Sequence, residues 1–106
     1  MKNYILSIIF LSLFFIESII AEVIIDVRTA DEYSSGHIDS SLNVDWQDIA
    51  KIKESISKDE KIYLYCRSGN RSGKAKNTLI SLGYKDVINL GSISEASKYL
   101  GINIVQ

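Results

Sequence analysis

An open, mainly parallel α/β sheet flanked by helices, preceded by a hydrophobic leader, is the fold that three observations predict. Short runs of β-forming apolar residues at 23–25, 62–65 and 87–89 alternate with segments of helical period. The chain has 106 residues, enough for one domain and too few for a second of ordinary size. All three Phe (Phe10, Phe14, Phe15) and the one Met lie within the first fifteen residues, so the 46% apolar content averages two unlike segments.

The first of these is the leader, residues 1–21. Lys2 and the amino terminus make a short basic region, and Tyr4 to Ile16 is apolar apart from Ser7 and Ser12. Small or polar residues follow at Ser18 and Ala21, the layout of a secretory signal peptide cut after Ala21. The domains expected are therefore a signal peptide over 1–21 and one folded domain over 22–106, exported to the periplasm. The alternative is an uncleaved N-terminal membrane anchor facing the same compartment. Glu17 interrupts the apolar stretch and leaves it shorter than the roughly 20 residues that span a bilayer.

The elements of the domain follow in order. Residues 23–25 read as a buried strand. Thr29 and Glu32 match a capping box that opens a short helix, ended by Gly36. Residues 42–44 form a second brief strand. Asp45 caps a helix over 46–57, with Trp46, Ile49, Ile52 and Ile56 on one face. Residues 58–61 are a charged turn, and 62–65 the strongest strand. A loop over 66–71 leads to a helix over 72–82 with the stripe Ala75, Leu79, Leu82, stopped by Gly83. A strand at 87–89 and a helix at 94–100 complete the alternation, and residues 102–105 add an edge strand or a tail.

Charge and cysteine content narrow the function. Twelve basic residues against thirteen acidic give a net charge of −1, so no nucleic-acid partner is expected. One cysteine closes no internal disulfide and supplies no Cys-rich metal site, so neither metal nor cofactor is expected. In a parallel α/β sheet the ligand site lies beyond the carboxyl ends of the strands. Cys66 falls at that end of the best strand, followed by Arg67, Ser68, Gly69, Asn70, Arg71 and Ser72. A loop of this composition at a helix N-terminus turns several N–H groups inward as an anion nest. Such a nest stabilises a thiolate, and Arg71 and Arg67 offer guanidinium forks for oxyanions. Cys66 is thus the candidate nucleophile, with residues 67–72 as its anion-binding loop. Asp26 and Arg28, after the first strand, are expected in support: Asp26 ordering the loop, Arg28 in an internal salt bridge or, as the alternative, assisting anion binding.

Several segments together carry a family resemblance: Asp26-Val-Arg28, Glu32-Tyr33, Gly36-His37-Ile38, Asn43, residues 65–75 (YCRSGNRSGKA), Gly83-Tyr84 and residues 87–91 (VINLG). In these the chain resembles the single-domain rhodaneses, in particular their short exported phage-shock-type members, over residues 22–105. The resemblance implies a thiosulfate sulfurtransferase. Cys66 would take the outer sulfur of thiosulfate as a persulfide and pass it to a thiophilic acceptor: cyanide, a thiol or a sulfur-accepting protein. No membrane partner is implied once the leader is removed. The alternatives are a non-catalytic persulfide carrier or binding module, and a phosphatase or arsenate reductase of the same fold. The latter resemble a Cys-x5-Arg loop, whereas four residues separate Cys66 from Arg71 here. His37 is expected to position structure rather than react, Tyr63 and Tyr65 to pack, and Lys74 and Lys76 to form a solvated face or to raise the local potential for thiosulfate.

The chain departs from the family pattern at Asp39-Ser40-Ser41, where relatives often show Pro-Gly-Ala, and at Gly91-Ser92 and Ala96-Ser97, where they show paired glycines and a Trp. Loosening of the pocket shoulder and of the last helix is the expectation from these changes.

Overall fold

The structure, a computed structural model, describes residues 22–106. The expected leader, and with it the division after Ala21, lies outside the described residues.

Alternation of apolar runs and capped helices produces β1 (Glu22–Asp26), α1 (Ala30–Ser35), β2 (His37–Ile38), β3 (Leu42–Asn43), a 3-10 helix (Trp46–Glu54), β4 (Lys61–Cys66), α2 (Asn70–Ser81), β5 (Asp86–Ser92), α3 (Ile93–Leu100) and β6 (Ile104–Val105). The main sheet has the order β3-β1-β4-β5, and each neighbouring pair is parallel. That is the expected open parallel α/β sheet with helices on both faces.

Side chains of a strand alternate between faces, and the two faces carry two cores. Ile25, Val27, Ile62, Leu64 and Cys66 pack with Ile49, Ile52, Ala75 and Leu79 from the 3-10 helix and α2. Tyr65 packs with Ile38 and Ala96 on the other face, joined by Ile24, Leu90, Ile93 and Leu100. Each fully buried Ile or Leu contributes about 1.5–3 kcal/mol relative to exposure. Cys66 therefore sits on a strand fixed from both sides.

Four expectations need correction. The segment after Asp45 is a 3-10 helix ending at Glu54, not an α-helix to Ser57. Trp46, Ile49 and Ile52 are spaced by three, so three residues per turn stacks them along one line; an α-helix would spread them. Cys66 is the last residue of β4 rather than the first of the loop, and α2 begins at Asn70, two residues before Ser72. Residues 104–105 do not extend the main sheet: they pair antiparallel with β2, with Ile38 opposite Ile104. β2 itself was not anticipated, because two residues carry no periodicity.

The last helix has a closed start. Ser92 accepts from the Glu95 N–H and the Glu95 carboxylate takes the Ser92 N–H, closing a capping box, and Ala96 is fully buried. At the other departure, Ser40 takes φ +67°, a left-handed conformation that glycine adopts at lower cost. Ser41 is held by a hydrogen bond of 3.0 Å between its hydroxyl and that of Tyr65, which also accepts the Ile38 N–H at 3.0 Å. Burial pushes the Tyr65 phenol up to about 12. No helix among the described residues is long and apolar enough to cross a membrane.

Candidate active site

The site is built where β4 runs into α2. Gly69 caps α2 with φ +96°, a left-handed turn that brings its own N–H back onto the Cys66 Sγ at 3.0 Å. A Cβ at Gly69 would lie 3.2 Å from Gly91 Cα, so the turn is also sterically reserved for glycine. Gly91 reaches that position through a bulge. Leu64 pairs with Asn89 and Cys66 with Ser92, which leaves Leu90 and Gly91 opposite Tyr65. Gly91 itself has φ +88°. The loop after Cys66 thus closes against an irregular edge of β5.

The sulfur has no solvent exposure and faces donors. Besides the Gly69 N–H, the Ser72 hydroxyl lies 3.3 Å from Sγ. Burial pushes the thiol up, but the Ser72 hydroxyl and the N–H groups of Ser72, Ser68 and Gly69 outweigh it, and the thiol lies below its ordinary value. Hydrogen bonding to the charged form therefore dominates. The shift favours the thiolate, the form of a cysteine that acts as a nucleophile.

Residues 66–72 are brought together as one loop and first helical turn, with differing roles for their side chains. Those of Arg67, Ser68 and Asn70 are exposed, and Ser68 Oγ accepts the Asn70 N–H at 3.4 Å. Arg71 does not hold its fork open for an anion. It is closed on Glu32 of α1, with Nη1 to Oε1 at 2.7 Å and Nη2 to Oε2 at 3.0 Å. Hydrogen bonding from Arg71 holds the Glu32 carboxyl down at about 2. Asp26 and Arg28 lie at the end of β1 next to Tyr65 and bind each other. Arg28 Nε donates to both Asp26 oxygens at 2.9 and 3.0 Å, Nη2 donates to Oδ2 at 2.6 Å, and Nη2 also donates to the Gly36 carbonyl at 2.6 Å. This buried pair anchors the chain leaving α1.

His37 stacks on Tyr33, ring centroids 3.7 Å apart, with its Nδ1 2.9 Å from the Tyr33 carbonyl oxygen. Lys74 is exposed, its ammonium 5.1 Å from the centre of the Trp46 ring. Surface depressions lined by Asn43–Ser55 residues and by α3 residues contain no member of the Cys66 loop. Among the described residues, no group of three His, Cys, Asp or Glu is placed to share a metal ion.

Asn89 was not singled out from the sequence. Its Nδ2 donates to the Gly69 carbonyl at 3.0 Å, and its Oδ1 accepts the Gly91 N–H at 2.9 Å and the Ser72 hydroxyl at 2.7 Å. The available signal was an amide inside an apolar strand at the sheet end that bears the site.

A parallel sheet with a strand-end cysteine curled under a helix N-terminus defines a class of domain, and the sequence comparisons identify it. Residues 16–98 match the rhodanese-like domain, and the chain belongs to that family. It is 32% identical over 80 residues to the thiosulfate sulfurtransferase PspE of Escherichia coli, covering 71% of this chain and 74% of that protein. It is 37% identical over 67 residues to YqhL of Bacillus subtilis, covering 63% of this chain but only 53% of that longer protein. The solved structure of a rhodanese with anions from E. coli superposes with a TM-score of 0.71 at 27% identity, over 81% of this chain and 99% of the other.

Proposed function

We propose that this protein is a sulfurtransferase that moves the outer sulfur of thiosulfate to a thiophilic acceptor through a persulfide on Cys66. The observation that carries the reading is the pair of donors, Gly69 N–H and Ser72 hydroxyl, converging on a buried Sγ at the end of β4. Membership of the rhodanese-like family and the similarity to a named thiosulfate sulfurtransferase support it.

The Cys66 thiolate attacks the outer sulfur of thiosulfate. The Sγ–S bond forms as the S–S bond of thiosulfate breaks, and the electron pair leaves with sulfite. The persulfide keeps the single negative charge, moved one atom outward, where the loop N–H groups stabilise it. Cyanide or a thiolate then attacks the outer sulfur and returns Cys66 as the thiolate. With both arginine forks engaged by carboxylates at Glu32 and Asp26, recognition of the dianion falls to the backbone N–H groups and the exposed Arg67. The four-residue spacing between Cys66 and Arg71 favours one sulfur over a tetrahedral oxyanion. The composition of residues 1–21 supports export and a working domain over 22–106.

Turnover with thiosulfate and cyanide tests the reading. Thiocyanate should form catalytically with the wild type and not with Cys66→Ser. A single stoichiometric transfer without turnover would instead indicate a carrier, and phosphatase activity in place of transfer would overturn the assignment.

A further inference from the structure

The Asn89 side chain has only one orientation open to it. The Gly69 carbonyl accepts and does not donate, and the Gly91 N–H donates and does not accept, so Nδ2 must face the first and Oδ1 the second. Oδ1 is therefore the atom 2.7 Å from Ser72 Oγ, and it accepts the hydroxyl proton. Ser72 has one such proton and two acceptors, Asn89 Oδ1 at 2.7 Å and Cys66 Sγ at 3.3 Å. Asn89 holds the shorter bond.

We infer that Asn89 is a positioning residue that draws the Ser72 hydroxyl proton away from the Cys66 sulfur and so limits how far the nest stabilises the thiolate. With its one proton shared between Asn89 Oδ1 and Cys66 Sγ, the Ser72 hydroxyl gives the sulfur less than a full hydrogen bond. Asn89 thus holds back the Ser72 contribution to the thiolate, while the backbone N–H groups favour the thiolate in full. The opposition has a chemical use, because a thiolate loses nucleophilicity as its basicity falls. The Gly69 carbonyl also accepts the Gly73 N–H at 3.0 Å, so the loop keeps an anchor without Asn89. The charged groups on the surrounding elements are Arg67 on the loop, Arg71 with Glu32, Asp26 with Arg28, and Glu95 on α3. The test leaves all of them in place.

The inference rests on Cys66 as the reacting nucleophile, but its test does not require thiosulfate. The pH dependence of iodoacetamide alkylation of Cys66 reads the thiol directly, so a failure here leaves sulfur transfer untouched, and the reverse. Asn89→Ala should lower the thiol midpoint by about 0.5–1 pH unit, the size of a shared hydrogen bond released to a charged acceptor. In a Ser72→Ala background the same change should have no effect. Asn89→Asp keeps the acceptor and strengthens it, and should raise the midpoint more with Ser72 present than without. A scaffolding role for Asn89 predicts a raised midpoint in Asn89→Ala, equal in both backgrounds, and that result would overturn the inference. If Asn89→Ala loses its native circular dichroism, the Asn89→Asp comparison across the two Ser72 backgrounds decides; equal shifts would reject it.

Discussion

Two arginine–carboxylate pairs flank the Cys66 loop, and they do unlike work. Asp26 and Arg28 are two residues apart on one strand end, buried, and joined by several hydrogen bonds to each other and to the Gly36 carbonyl. Glu32 and Arg71 are 39 residues apart, each side chain a little over a quarter exposed, and they tie α1 to the first turn of α2. The first pair fixes how β1 hands the chain to α1. The second fixes where the helix carrying the anion nest begins. Neither leaves a fork free for substrate. In the proposed mechanism the positive character of the site therefore comes from oriented backbone N–H groups, which need no counter-charge, together with the exposed Arg67.

The largest effect separating the pairs should follow Asp26→Ala. A buried guanidinium without its partner costs about 3–5 kcal/mol, and urea unfolding should show a loss of that order, or no folded protein. Glu32→Gln should cost only about 0.5–1 kcal/mol, since a partly exposed pair is screened. Its pH signature is specific. The folded-state carboxyl lies at about 2, below its ordinary value of 4.5, so its contribution is complete above the ordinary value and is lost as pH falls through about 2. The difference in stability between wild type and Glu32→Gln should shrink over that window and also with added salt. If salt erased the Asp26 effect as readily, the contrast between the pairs would be wrong. The smallest effect lies away from both: Ser40→Gly should stabilise by about 0.5–1 kcal/mol, by relieving the left-handed serine at φ +67°. No change in melting temperature would show that the turn is unstrained.

What the sequence discloses and what it hides follow from the range of each interaction. The Cys66 loop is legible because cysteine, Gly- and Ser-containing loop and helix start are contiguous, and the parallel sheet is legible from the runs at 23–25 and 62–65. The capping boxes at Thr29 and Ser92 are local; the first is plain in the sequence, and the second lies two residues before the expected helix start at Ser94. The 3-10 helix was hidden because Trp46, Ile49 and Ile52 fit a period of three and, over so short a row, also resemble an α-helical face. β2 and β6 are two residues each and exist only as partners of one another. The capture of Arg71 by Glu32 and the three-way role of Asn89 depend on segments far apart in the chain, and no local pattern encodes them.

The most direct measurement is the intact mass of the fully reduced protein after exposure to thiosulfate. A persulfide on Cys66 requires a gain of one sulfur atom in the wild type, its removal by cyanide with release of thiocyanate, and no gain in Cys66→Ser. An unchanged wild-type mass, or an equal gain in Cys66→Ser, would contradict it.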